Sequence, residues 1–325
     1  MKDFENASKI VKNDSSLIKL YFLKRKQESQ NNPTGKNKKY KFDVYSFEID
    51  RKMNTYLKNI VLKNLKKISN VKVDDYRVIV DSDEYFVYTY QLNTNLSIYD
   101  TVLNQIPNKK AIPCKSISDI VNSWGYCLEI NDGKSSCYFF RHLSSRNFVT
   151  EKKRNGIRAV FDVNAAALTV VENVKMISFD ESIDCIYINR NTYILNKNQF
   201  ETLFCLEEEF KNEAEKVITM LDNSKQIEGI EVLADCVEKD KRLRKRLVSI
   251  IEKNNHHFDK NEIKKIDQIL KENEGKKLKT NDEGKLLLKE KQDCIDLINV
   301  LNDYYKKGTY SGKSYGTNSG KILKE

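Results

Sequence analysis

Residues 51–68 place Met53, Tyr56, Leu57, Ile60, Val61, Leu65 and Ile68 three and four positions apart, with Lys52, Lys58, Lys63, Lys66 and Lys67 between them. That spacing predicts an amphipathic helix, and Asp50 is placed to cap it. The chain before it reads as a helix followed by a strand. The run SSLIKLYFLKR (15–25) is a dense apolar stretch with β-formers, which suits a buried strand. Residues 26–40 are polar, contain Pro33 and Gly35, and read as a loop; a second strand is expected over 40–48.

From 71 to 195 the pattern is strand-rich. DYRVIVD and EYFVYTYQL are β-branched and aromatic, with Asp81-Ser82-Asp83 between them. Short helices fit 97–106 and 116–122. WGYCLEI and SSCYFFRHL flank Asn131-Asp132-Gly133, a hairpin signal. Further short strands fit 157–163, 167–171, 174–178, 183–188 and 192–195, with a turn at Asn189-Arg190-Asn191. After 196 the period becomes 3.6. Helices are expected over 199–222, 226–237, 239–253, 259–272 and 290–305, the last after a short strand at EGKLLL, and then a basic Gly/Ser-rich tail. The fold class is therefore α+β: a strand-rich N-terminal two-thirds (1–195) with a mixed or antiparallel sheet, and a helical C-terminal third (196–325) packed against it.

Charge sharpens this picture. The chain has 57 Lys and Arg against 47 Asp and Glu, a formal net charge of +10. The excess is uneven: residues 1–72 hold 18 basic and 7 acidic residues, 141–158 hold 6 and 1, and 180–240 hold 6 and 15. Segregation of this kind points to an anionic partner. No apolar window reaches the length of a membrane span, and the N-terminus lacks the apolar core of a signal peptide, so a cytoplasmic protein is expected. The seven Cys include no C-x-x-C pair, which fits buried free thiols in a reducing compartment rather than a zinc site.

Catalytic motifs are missing: there is no nucleophile elbow, no P-loop and no dinucleotide fingerprint, and no cofactor is expected. Asp180, Glu181 and Asp184 are the one group of carboxylates that a metal-dependent nuclease could use. Four basic clusters can hold phosphates, and nearby aromatics can stack on bases. They are Lys24 to Lys26 with Lys36, Lys38, Lys39 and Lys41; Arg141, Arg146, Lys152, Lys153, Arg154 and Arg158; Lys241 with Arg242, Arg244, Lys245 and Arg246; and Lys306, Lys307, Lys313 and Lys321 among Tyr304, Tyr305, Tyr310 and Tyr315. Arg suits bidentate phosphate contacts and gathers in the second and third clusters, which makes those two the candidate nucleic-acid surface. The competing reading is that such a cluster docks the acidic stretch 180–240 of the same chain or of a second subunit.

Two stretches resemble a known family. In 178–210, Ile183-Asp184, Tyr193-Ile194, Phe200-Glu201 and Phe204 follow the middle of KwaB-like proteins of the Kiwa anti-phage defence system. In 300–321, Leu301, Asn302, Asp303, Tyr305 and Tyr315 follow the C-terminal run of that family, although Gly308 and Gly320 depart from it. The resemblance implies a cytoplasmic, homodimeric DNA-binding effector. It would bind phage DNA through basic loops and block replication and transcription without chemistry of its own. A small membrane protein, KwaA, would be its partner and would recruit it to the inner face of the membrane. The alternatives are a metal-dependent nuclease and a non-enzymatic interaction module of a defence complex.

Overall fold

The structure is a computed structural model that describes residues 2–27, 40–76, 78, 86–91, 106, 110–149, 159–162, 167–170, 176–252, 260–277, 279–308 and 310–317. The chain divides into two compact units, Met1–Asp75 with Ser82–Cys205, and Tyr76–Asp81 with Leu206–Glu325.

The first unit runs α1 (Lys2–Lys12), β1 (Leu17–Gln27), β2 (Tyr40–Phe47), α2 (Arg51–Ile68), β3 (Lys72–Asp75), β4 (Phe86–Gln91), β5 (Ile112–Pro113) and α3 (Ile117–Ile120). It continues with β6 (Gly125–Asn131), β7 (Ser136–His142), β8 (Phe148–Val149), β9 (Ala159–Asp162), β10 (Ala167–Val170), β11 (Met176–Ile177), β12 (Cys185–Ile188), β13 (Asn191–Ile194) and α4 (Lys197–Leu203). Nine strands form one mixed sheet in the order β3-β4-β13-β12-β7-β6-β1-β2-β5, with β3 and β5 joined in parallel at its two edges. The fold class is α+β.

Strands β6 and β7 lie mid-sheet and are buried on both faces, which is why GYCLEI and CYFF are nearly unbroken apolar runs. Their register pairs Leu128 with Phe139 and Cys127 with Phe140. Leu128, Phe139, Leu20 and Ile186 belong to the core that also holds Phe4, Ala7 and Val11 of α1 and Leu57, Ile60, Val61 and Leu65 of α2. Cys127, Phe140 and Cys185 take the opposite parity, and on that face Phe204 meets Phe140 at 5.6 Å. Trp124 donates its indole N–H to the Thr202 and Leu203 carbonyls at 3.1 and 3.0 Å, fixing the end of α4. Gly125 permits that approach, because a Cβ there would lie 2.5 Å from Leu203 and 2.7 Å from the Arg141 carbonyl.

The second unit holds α5 (Leu206–Asn223), β14 (Ile227–Glu228), α6 (Ile230–Lys239), α7 (Lys241–Glu252), α8 (Lys260–Glu274), β15 (Leu286–Leu287), α9 (Lys291–Leu301) and a hairpin of β16 (Tyr305–Lys307) and β17 (Ser314–Gly316). Three expectations change. The helix expected over 199–222 is two helices, parted where Cys205 takes a left-handed backbone (φ 57°). The last helix stops at Leu301 rather than 305, because Asp303 is left-handed (φ 50°) and Tyr305 already belongs to a strand. Of the strand expected at DYRVIVD, Asp75 ends a strand that begins at Lys72 and Tyr76 and Val78 are outside any strand, while 77 and 79–81 lie outside the described residues. Most of the helix expected over 97–106 lies outside the described residues.

Helix α2 begins where its sequence says it should: the Asp50 carboxylate accepts from the Met53 N–H at 2.7 Å. Removing that acceptor in Asp50→Ala is expected to cost about 1 kcal/mol in chemical denaturation, and no loss at all would mean the cap is dispensable.

Candidate nucleic-acid interface

Helix α2 has six cations and no carboxylate in 18 residues. Its buried stripe is Leu57, Ile60, Val61, Asn64, Leu65 and Ile68. Packing that stripe into the core leaves Lys52, Tyr56, Asn59, Lys63, Lys66 and Lys67 exposed, three and four residues apart. At 1.5 Å per residue this stripe runs for roughly 22 Å. Arg51 and Lys52 stand at the positive end of the helix dipole, and Lys63 lies within one turn of Lys66 and Lys67. Each arrangement costs a few tenths of a kcal/mol, roughly, without a counter-charge.

One carboxylate reaches this face among the described residues. Glu181 pairs with Lys63, and Lys63 followed by Lys67 holds the Glu181 carboxyl below its usual range. The contact is fixed from beneath by the buried Asn64, whose amide donates to the Glu181 carbonyl at 2.8 Å and whose oxygen accepts from the Ile183 N–H at 3.4 Å. The same segment carries the other two predicted acids. Arg141 bonds Asp180 at 2.6 Å and Asp184 at 2.5 Å, and the His142 backbone N–H donates to Asp184 at 2.7 Å. Asp184 is wholly buried; burial pushes its carboxyl up to about 6 against the pull of Arg141 and the His142 N–H. Burial pulls the Arg141 guanidinium down, but the two carboxylates outweigh it and leave it raised. The Tyr126 hydroxyl and the His142 Nε2 are buried without a partner. Burial also pushes the Tyr126 phenol up and the His142 imidazole down.

Asp180, Glu181 and Asp184 are thus each matched to a cation of the fold, two to Arg141 and one to Lys63, rather than converging on a shared centre. No group of three or more His, Cys, Asp or Glu that could hold a metal ion occurs among the described residues. A cleft of about 710 Å³ lies over Lys19, Ser46, Phe47, Glu48, Asn54 and Cys114, with one cation and one acid in its lining.

The predicted cations divide by role. In the second cluster Arg141 is spent on the ion network, while Arg146 is exposed on a one-turn helix at 145–147. That turn is bonded to the same acidic segment, by Ser178 N–H to the Asn147 carbonyl at 2.8 Å and the Asn147 amide to the Ser178 carbonyl at 3.0 Å. Lys152, Lys153, Arg154 and Arg158 lie outside the described residues. In the third cluster Arg244 is 3% exposed, pairs with Glu207 and donates to the Val237 and Glu238 carbonyls. Arg246 bonds Asn299 and lies over Tyr304 at 5.7 Å; Lys245 lies over Phe210 at 5.3 Å. Arg242 is exposed, as is Lys241. In the first cluster Arg25 is stacked between Trp124 at 3.5 Å and Tyr40 at 4.4 Å, Lys24 donates to the Asp119 carbonyl at 2.9 Å, and Lys26 pairs with Asp43.

Helix α2 runs over the residues its periodicity predicts, Arg51–Ile68. What marks its outer face in the sequence is the absence of any Asp or Glu over 18 residues, since its cations are spread out rather than clustered.

These features define an α+β protein in which Asp180, Glu181 and Asp184 are matched to cations of the fold and the outer face of α2 is cationic. Residues 120–309 match the family model described as Kiwa protein KwaB-like. The match spans more than half the chain, from α3 to the C-terminal hairpin, and the chain belongs to this family, a component of the Kiwa anti-phage defence system. Helix α2 lies outside the matched stretch. No curated protein and no solved structure matches the chain. No helix among the described residues is long and apolar enough to cross a membrane.

Truncating Arg141 tests the ion network. Arg141→Met leaves a buried carboxylate without its cation, and a loss of about 3–5 kcal/mol is expected in urea unfolding at pH 8. The folded pKa of Asp184 is raised above its unfolded value, so what this group contributes is intact below about pH 4 and lost as pH rises through about 6. The variant should therefore lose less at pH 5, where Asp184 takes up a proton, than at pH 8. An equal loss at both would mean Asp184 does not titrate in the fold.

Proposed function

We propose that this Kiwa component binds phage DNA through its surface cations, with little regard to base sequence, and hinders replication and transcription by occupying the template. The observation that carries the reading is the outer face of α2, whose own 18 residues include no Asp or Glu and which Glu181 reaches from another segment. Its Lys63 end is tied through Glu181 and Asn64 to the segment that also bonds the Arg146 turn. Lys52, Lys63, Lys66, Lys67 and Arg146 would contact phosphates, and so would Lys152, Lys153, Arg154 and Arg158, which lie outside the described residues. Arg242 and Lys245 are secondary contacts. Arg141, Arg244 and Arg246 support the fold that presents the others. Phosphate contacts of this kind give affinity by counterion release and carry no sequence code. A homodimer beside a KwaA-like membrane protein completes the reading; the family resemblance supports that part.

With about 6 phosphate contacts, affinity for duplex DNA should fall roughly a thousandfold between 50 and 200 mM salt. The combined Lys52→Glu, Lys66→Glu and Lys67→Glu protein should bind more weakly and with a log–log salt slope shallower by about 3. An unchanged slope would remove α2 from the interface.

The Arg146 side is tested separately by Lys152→Glu with Arg154→Glu, measured for DNA affinity and for subunit association. Weaker DNA binding with normal association is the expected result. Lost association with unchanged DNA affinity would make this segment a protein contact instead.

A further inference from the structure

The C-terminal hairpin has a fixed base and a bare tip. At the base, Tyr305 bonds Glu274 of α8, and the Tyr304 N–H donates to the Asn299 carbonyl at 2.9 Å. Gly316 packs against the Tyr304 side chain, where a Cβ would meet two ring carbons and the hydroxyl oxygen at 2.5 Å. At the other end Gly308 N–H donates to the Lys313 carbonyl at 2.9 Å, Gly312 N–H donates to the Gly308 carbonyl at 2.8 Å, and Gly312 adopts φ 65°. The tip thereby presents Tyr310, which is fully exposed, and Tyr315, which is 51% exposed. Lys306 lies directly opposite Tyr315 in the register and shares its face. Lys306, Lys307 and Lys313 are all exposed, and no carboxylate occurs in residues 304–317.

We infer that this hairpin is a stacking platform for unpaired bases of single-stranded DNA, with Tyr310 and Tyr315 taking bases and Lys306, Lys307 and Lys313 taking phosphates. The inference rests on the DNA-binding reading above and adds the strand state of the DNA. Flat aromatic rings beside cations are what a single strand needs, since every base offers a π-face and every linkage a charge. A duplex hides those faces. An anionic membrane would also meet the lysines, but the exposed set holds no Leu, Ile, Phe or Trp to enter the acyl region. The Tyr315 hydroxyl is moreover tied to the Ser311 hydroxyl at 3.0 Å, a polar edge that suits stacking in water rather than insertion.

The test is fluorescence anisotropy with the full chain, using oligo(dT) of about 20 nucleotides, longer than a typical single-fold site, and a duplex of equal length. Tyr310→Ala and Tyr315→Ala should each weaken oligo(dT) binding about tenfold and leave duplex binding unchanged, while Tyr310→Trp restores it. Tyr310 touches nothing that its removal would unfold, and far-UV dichroism confirms the fold of each variant. Equal losses on both DNAs, or no loss on oligo(dT), would overturn the platform while leaving duplex binding by α2 in place. A wild-type protein that binds neither DNA would overturn both readings. Loss of flotation with phosphatidylcholine–phosphatidylglycerol vesicles at unchanged oligo(dT) affinity would assign the hairpin to a membrane surface instead.

Discussion

Burying Asp184 is the constraint from which the rest of the first unit follows. A carboxylate with no exposed surface at the start of β12 has to be matched, and Arg141 at the end of β7 matches it at 2.5 Å. Arg141 has a second fork to satisfy, and Asp180 takes it. That fixes the segment before β12, so its carbonyl at Glu181 and its N–H at Ile183 face Asn64 of α2. The helix is thereby set against the sheet by polar bonds as well as by Leu57, Ile60 and Val61, and its lysines can only point outward. A purely apolar contact would hold α2 with similar energy but would fix its rotation less tightly, because hydrophobic burial is non-directional.

The chain carries its charge in blocks, and the structure separates the blocks by what lies opposite them. Two arginines that the acidic stretch 180–240 reaches are withdrawn from solvent: Arg141 by Asp180 and Asp184, Arg244 by Glu207. This is the internal docking that competed with nucleic-acid binding as the meaning of these clusters, and for these two residues it is the one realised. Arginine concentration, the feature that singled out both clusters, is thus partly a mark of buried pairing. A planar guanidinium can satisfy two carboxylates, or a carboxylate and two carbonyls, in little space, which an ammonium cannot do as well.

How much of this could be read from the sequence depends on the range of the interaction. Local signals sufficed for α2 with its Asp50 cap and for the β6–β7 hairpin around Asn131-Asp132-Gly133. The turn at Asn189 and Arg190 was legible too; both take positive φ, as a tight hairpin requires. The break between α4 and α5 was not, because Cys205 is neither Gly nor Pro and the apolar period runs on through Phe200, Leu203, Phe204 and Phe210. The fate of Arg244 was hidden for a different reason. Periodicity places it on the polar side of α7, but that helix also buries Val248 and Ser249, so it is covered over more than one stripe. The pairing of Lys63 with Glu181 spans 118 residues, and no local pattern announces it.

What remains after this internal pairing is informative because it is costly. The exposed face of α2 keeps like charges within one turn of each other, and the C-terminal hairpin keeps three lysines beside two bare tyrosines. Replacing Lys66 or Lys67 with Glu would relieve repulsion by a few tenths of a kcal/mol, roughly, and such a change is open to any solvent-facing helix. A surface shaped by stability alone would drift towards mixed charge, as α5 has done with Lys211 against Glu208 and Lys216 against Glu213. Both kinds of surface occur in one chain of one composition, so lysine-rich composition does not account for the difference. The anionic partner proposed above would account for it, because binding would convert the repulsion into the counterion-release term that drives association.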